Sequence, residues 1–253
     1  MLLAAAGVLL GAWWAGGDTV GPPLLTAAAA AGLTTFANVD NDRHDVAIDA
    51  VAHPERPLVR GTVTAGAAAR LALVAAIAGL GLAAAARPAL GAAAAAVLAL
   101  MALYNRAVSR SGLPGNLVVA ALASLPFLFG AWSVGRPAAG LGITALAVPL
   151  HLAREVAKDI DDSAGDVLAR RTVPVAYGAG AARALFAGAL VAFWAALAAF
   201  AGRHAHLRWL LLPAVGLTLA GAWRVLHGRR GAPALLKAAM VAAMASLLAG
   251  HSG

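Results

Sequence analysis

Ten of the eleven acidic residues in this chain fall in two short stretches, 40–55 and 155–166, and only Asp18 lies elsewhere. The first stretch reads Asn41-Asp42-Arg43-His44-Asp45-Val46-Ala47-Ile48-Asp49. It follows a long apolar run, and no proline arrives until Pro54, so a helix is expected to continue through Asp49. At about 100° per residue, Asn41, Asp45 and Asp49 then fall along one face, with Asp42 a quarter turn away. Three carboxylates ionised together repel one another. A hard divalent cation with oxygen ligands removes that conflict, and Mg2+ suits it because it takes one or two carboxylates together with phosphate oxygens and water.

The second stretch reads Arg154-Glu155-Val156-Ala157-Lys158-Asp159-Ile160-Asp161-Asp162-Ser163-Ala164-Gly165-Asp166. Glu155, Asp159, Asp162 and Asp166 share one helical face if the helix runs through Gly165, whereas Asp161 points away as a spectator. Arg154 and Lys158 flank that face, one with a bidentate fork and the other with a point charge, and both could hold a diphosphate. An ordinary solvated helix end accounts for one acid, and a set of loops would scatter the rest. Two focused clusters point instead to a shared metal site made by Asp42, Asp45, Asp49, Asp159, Asp162 and Asp166.

The elements that position these clusters are apolar. The 253 residues are 62% hydrophobic and 12% charged, about half the charge of a soluble domain. Nine candidate membrane spans are expected, at roughly 2–16, 21–40, 63–86, 88–105, 115–134, 137–157, 180–201, 207–227 and 233–250, which makes the fold class an all-α polytopic bundle in a single domain. The first stretch is short for a span and has no basic residue ahead of it, so the recorded start is expected to lie inside the first helix. Trp13 and Trp14 suit an interfacial anchor. With the N-terminus cytoplasmic, fifteen of the nineteen Lys and Arg residues fall on the cytoplasmic side, and only Arg87, Arg136, Arg203 and Arg208 fall outside. Both acidic clusters lie on that same cytoplasmic side of the cell membrane. The net charge of +8 does not indicate nucleic acid, because the basic residues sit at the ends of apolar spans rather than in one tract. The chain has no cysteine, which excludes disulfides and thiolate chemistry.

The two stretches closely resemble the motifs of the UbiA-type superfamily of intramembrane prenyltransferases. Asn41, Asp42, Asp45 and Asp49 match its first motif, and Asp159, Asp162 and Asp166 its second. His53-Pro54-Glu55-Arg56-Pro57-Leu58-Val59-Arg60-Gly61 looks like its Arg-Pro loop. The setting of the second motif, with Thr172-Val173-Pro174, Tyr104-Asn105 and Gly115-Asn116, is similar to the branch that makes digeranylgeranylglyceryl phosphate. The family usually carries an Arg and an Asn near the start of its first helix, and neither is present.

This resemblance implies transfer of a prenyl group, geranylgeranyl in that branch, from its diphosphate to a lipophilic acceptor within the membrane. Mg2+ would bridge carboxylates and diphosphate, and Asn41, Arg56, Arg60, Arg154, Lys158, Arg106 and Asn116 would bind substrate, with Arg106, Arg110 and Arg60 as candidates for an acceptor phosphate. A quinone or chlorophyllide acceptor would leave both motifs unchanged. A divalent-cation transporter is the rival from another class, but no acid lies midway across the bilayer as an ion path would need. His151 lies within an apolar span near Arg154, where it faces the pocket or packs, whereas His44 and His53 read as helix and loop neighbours.

Overall fold

The computed structural model describes residues 1–108, 111–166 and 172–251, without the side chains of 52, 164–166 and 251. All regular structure among them is helical. The helices are α1 (Leu2–Trp14), α2 (Gly21–His44), α3 (Val46–Ala52), α4 (Ala65–Ala86), α5 (Pro88–Leu103), α6 (Leu113–Ser133), α7 (Pro137–Asp166), α8 (Val173–Arg203), α9 (Leu212–Leu226) and α10 (Ala232–His251). Five of them, α4, α5 with the turn after it, α6, α8 and α10, are long and apolar enough to cross a membrane. Helices α1 and α9 are shorter apolar helices, and α2 and α7 join an apolar stretch to an acidic end.

Helix α7 is the hub, packed on α6, α8 and α10, and α1 lies against α6 and α2. The α1–α6 contact is built on glycine. A Cβ on Gly11 would collide with the Phe127 carbonyl, and one on Gly130 with the Val8 carbonyl, so the two backbones touch. Around this seam the largest core cluster gathers Leu10, Phe127, Leu150, Phe186 and Phe193, all buried. Gly32 of α2 and Gly79 of α4 meet in the same way, with their own apolar cluster of Ala29, Leu33, Leu90 and Ala94.

The two ends of the bundle are distinct. At one end Arg136 donates to the carbonyls of Ala15 and Gly16, Arg87 donates to that of Ser133, and Trp14 meets His204 edge-on. The last residues of α2 and α7 lie at the other end, where the backbone N–H of Gly231 reaches Asp161 at 2.8 Å.

Three elements depart from expectation. Helix α2 does not run through Asp49. It stops at His44, Asp45 leaves helical geometry at φ −100°, ψ 5°, and α3 begins anew at Val46. The break turns the short helix and places Asp49 beside Asp42. The span expected at 180–201 begins earlier, at Val173, because a bend at Gly178 (φ 83°) joins a short leading segment to it. The stretch 207–227 opens with a single tight turn, Ala205–Leu207, before α9.

Candidate active site

The acidic ends of α2 and α7 meet at the mouth of one cavity of about 730 Å³. Asn41, Asp42 and Arg56 line it from one side, and Arg154, Glu155 and Lys158 from the other. Below this charged rim the wall is apolar, with Pro126 and Phe127 of α6, Ile143 and Leu146 of α7, Phe193 of α8 and Leu247 of α10. From Lys158 down to Ile143 the wall follows α7 for roughly 22 Å at its rise per residue. Pro126 and Pro149 sit inside α6 and α7. Each removes a backbone hydrogen bond from its helix.

Arg56 organises the first cluster. Its Nη1 donates to Asp42 at 2.8 Å and to Asp49 at 2.7 Å, so one guanidinium nitrogen sits between two carboxylates. Asp49 is buried and Asp42 half exposed. Burial pushes the Asp42 carboxyl above its ordinary range; Arg56 opposes this, while Asp49 and Asp45 add to it. Asn41 donates its side-chain amide to Asp45, 3.0 Å away, and Asp45 is fully enclosed. In the second cluster Glu155 accepts from Arg154 and, at 2.7 Å, from Lys158. Asp159 is buried and accepts from Asn116 at 2.8 Å.

The structure divides the expected site residues. Asn41, Asp42, Arg56, Arg154 and Lys158 reach the cavity surface. Asp45, Asp49 and Asp159 are buried outside its lining. Asp162 is exposed beyond the mouth, and Arg60 and Arg106 are exposed away from the cavity. Asn116 stands behind Asp159, a partner for that carboxylate rather than a cavity wall. The side chain of Asp166, and Arg110 altogether, lie outside the described residues. Asp161 points out of the cavity as expected, yet it is no spectator, since it holds the turn before α10.

Sequence reasoning passed over Asn38 and Asp40. Asn38 lines the cavity, and its place three residues before Asn41 put it on the same face. Asp40 is buried, with Asn105 donating to it at 3.0 Å and Arg43 at 3.1 Å. Asn105 lies in a π-helical turn, Tyr104–Val108, the kind of local irregularity that often marks functional sites. No periodicity in the sequence foretells such a turn.

The family model for UbiA prenyltransferases matches residues 4–247. The chain belongs to the UbiA prenyltransferase family. Among curated relatives it is 32% identical to digeranylgeranylglyceryl phosphate synthase of Methanopyrus kandleri over 71% of this chain and 67% of that one. It is 36% identical to the enzyme of that name from Halobacterium salinarum over 57% of this chain and 53% of the relative. The chain thus spans about half to two thirds of the length of the relatives it matches. Among solved structures, a UbiA homologue from Aeropyrum pernix superposes with a TM-score of 0.86 at 18% identity, covering 98% of this chain and 96% of that one. A homologue from Archaeoglobus fulgidus bound to GPP and Mg2+ superposes at 0.73 with 14% identity, over 99% of this chain and 95% of the other. The helical membrane fold is therefore that of the UbiA family.

UbiA homologues hold Mg2+ with a prenyl diphosphate, and the donors present in this chain fit that ion. Every candidate ligand is a carboxylate or amide oxygen, the hard donor set Mg2+ prefers. Arg56 already shows a positive group seated between Asp42 and Asp49. Among the described residues no three His, Asp or Glu side chains converge into a closed cage. That arrangement also suits Mg2+, which keeps several coordination positions for phosphate and water.

Proposed function

We propose that the chain transfers a geranylgeranyl group from its diphosphate to geranylgeranylglyceryl phosphate, in ether-lipid synthesis, at a site facing the cytoplasm of the cell membrane. The observation that carries the proposal is one cavity that combines a charged mouth with an apolar shaft. The mouth accepts a diphosphate and the shaft an isoprenoid chain. The names of the curated relatives support the glyceryl phosphate as acceptor, and the excess of basic residues at the acidic end supports the orientation.

Asp42, Asp45 and Asp49 would hold Mg2+ on one side and Asp159, Asp162 and Asp166 on the other. Bound there, the ion neutralises the diphosphate and stabilises the charge that develops on it as a leaving group. Arg154 and Lys158 stand at the mouth to meet diphosphate oxygens, and Glu155 holds both of them in place. Pro126, Phe127 and Phe193 keep water from the allylic carbon while it carries positive charge. The donor C1–O bond breaks with its electron pair staying on diphosphate. The acceptor hydroxyl oxygen forms the new C–O bond and releases its proton.

The test is transfer by purified, detergent-solubilised protein supplied with geranylgeranyl diphosphate and a panel of acceptors. Geranylgeranylglyceryl phosphate, a hydroxybenzoate and a chlorophyllide should be offered with Mg2+ and with excess chelator. Product with the glyceryl phosphate alone, abolished by chelator, is expected. Product only with an aromatic or chlorophyllide acceptor would overturn the acceptor.

A further inference from the structure

His151 marks the boundary between the two halves of the cavity. Along α7 the wall is apolar from Ile143 through Leu150 and charged from Arg154 through Lys158, and His151 lies between these stretches. It sits one helical turn below Arg154, roughly 4.5 Å deeper into the shaft. Its side chain lines the cavity and is neither fully buried nor exposed. Among the described residues no backbone or side-chain group hydrogen-bonds its ring. Pro149, two residues earlier, removes one backbone hydrogen bond of α7 near this level.

A polar group that is lodged between helices and lacks a protein partner presents its hydrogen-bonding capacity to whatever fills the cavity. The level it occupies is informative. With diphosphate among Arg154 and Lys158 and the isoprenoid in the apolar shaft, the allylic carbon joining them lies near the depth of His151. An attacking alcohol must reach that carbon and lose its proton there. Arginine and lysine cannot take a proton, and the carboxylates at the rim are occupied by Arg56, Arg154 and Lys158.

We infer that His151 is the subsite for the acceptor's alcohol, its unprotonated ring nitrogen accepting the hydroxyl proton as the ether bond forms. The inference rests on the alcohol-acceptor reading above. The donor C1–O pair leaves with diphosphate, a hydroxyl lone pair makes the new bond to C1, and the O–H pair stays on that oxygen. The proton passes to His151 and from there to water at the mouth. His151 is in this sense a catalytic residue. A ring that merely packs against its neighbours would make no demand on the acceptor.

The test compares the purified wild type with His151→Gln and His151→Phe in four measurements. They are geranylgeranyl diphosphate binding with Mg2+, acceptor KM, kcat and thermal unfolding. Glutamine can accept a hydrogen bond but cannot take the proton. His151→Gln should therefore lower kcat about 100-fold, in the range of general-base catalysis, with donor binding and acceptor KM within about twofold of wild type. His151→Phe should lose the same kcat and raise acceptor KM as well. Free imidazole added to His151→Ala should restore part of the rate. A His151→Gln enzyme that keeps its kcat overturns the inference, and so does loss of donor binding or of folding in step with kcat in both variants. If wild type prenylates the glyceryl phosphate, these results bear on His151 alone. If wild type uses only carbon acceptors, this inference falls together with the acceptor reading.

Discussion

Asn116 and Asp159 form a buried pair, an amide donating to a carboxylate across the α6–α7 contact at 2.8 Å. Outer partners of this kind aim a ligand oxygen, and removing one typically costs about 10–100-fold in metal affinity or activity. Asn116→Ala should therefore raise the Mg2+ concentration needed for half-maximal turnover by about that factor, while circular dichroism shows an unchanged helix content. An unchanged Mg2+ titration would mean that Asp159 is aimed by something else. Asp161 and Asp162 give a second contrast. Asp161→Ala removes the acceptor for the Gly231 N–H, so it should cost about 1 kcal/mol of stability and little activity. Asp162→Ala should abolish turnover with little loss of stability. Equal damage from the two would show that the helical-face assignment is wrong. At this scale the residue types were legible in the sequence, and Asn41, Asp42, Arg154 and Lys158 line the cavity, whereas Asp45 and Asp49, expected on the face of Asn41, do not. The partners were not legible. Arg56 reaches Asp49 across seven positions and Asp42 across fourteen, and Asn116 lies 43 positions from Asp159. No local periodicity encodes such contacts. The break at Asp45 was hidden for a related reason. No Gly or Pro lies between His44 and Pro54 to announce it.

The elements explain which small residues pack and which make room for substrate, a distinction that composition leaves open. Of the Ala- and Gly-rich stretch 64–102, only Met101 lines the cavity, while α4 packs against α2 and α5. The shaft comes instead from α1, α2, α6, α7, α8 and α10. Its tightest seam is α1 against α6, where Gly7 and Gly11 are spaced four apart and Gly130 meets the Val8 carbonyl. Because Gly7 also touches Pro126 of the cavity wall, this seam sets the width of the shaft. Gly130→Ala should push the two helices apart, destabilise the protein by about 1–3 kcal/mol as overpacked contacts do, and lower the unfolding temperature in detergent. Gly216→Ala is the matched control, since an added methyl there meets nothing within 4 Å, and it should leave the unfolding temperature unchanged or slightly raised. If both substitutions behave alike, the glycine seam is not what fixes α1. The apolar runs announced these helices and bounded most of them well. They did not announce the bend at Gly178, where φ is 83° inside an otherwise apolar helix.

Over the whole molecule the charges define two ends, and the fold confirms that grouping independently of any membrane. Counting basic residues put Arg87 and Arg136 together on the side away from the aspartates. The structure ties each to a neighbouring helix end, Arg136 to the end of α1 and Arg87 to the end of α6. The remaining step is to assign the ends to compartments, and the excess of Lys and Arg at the acidic end supports the proposed cytoplasmic facing. The lack of any native cysteine makes this directly measurable. Thr62 and Ala205 are both exposed, Thr62 in the loop before α4 at the acidic end and Ala205 in the turn after α8 at the other. A single cysteine at each position can be probed in intact cells with a membrane-impermeant maleimide. Ala205→Cys should react at once, and Thr62→Cys only after the membrane is permeabilised. The reverse pattern would place the diphosphate site outside the cell, away from any cytoplasmic pool of prenyl diphosphate, and would invert the proposed orientation. Equal labelling of both before permeabilisation would show that the two ends do not lie across one bilayer.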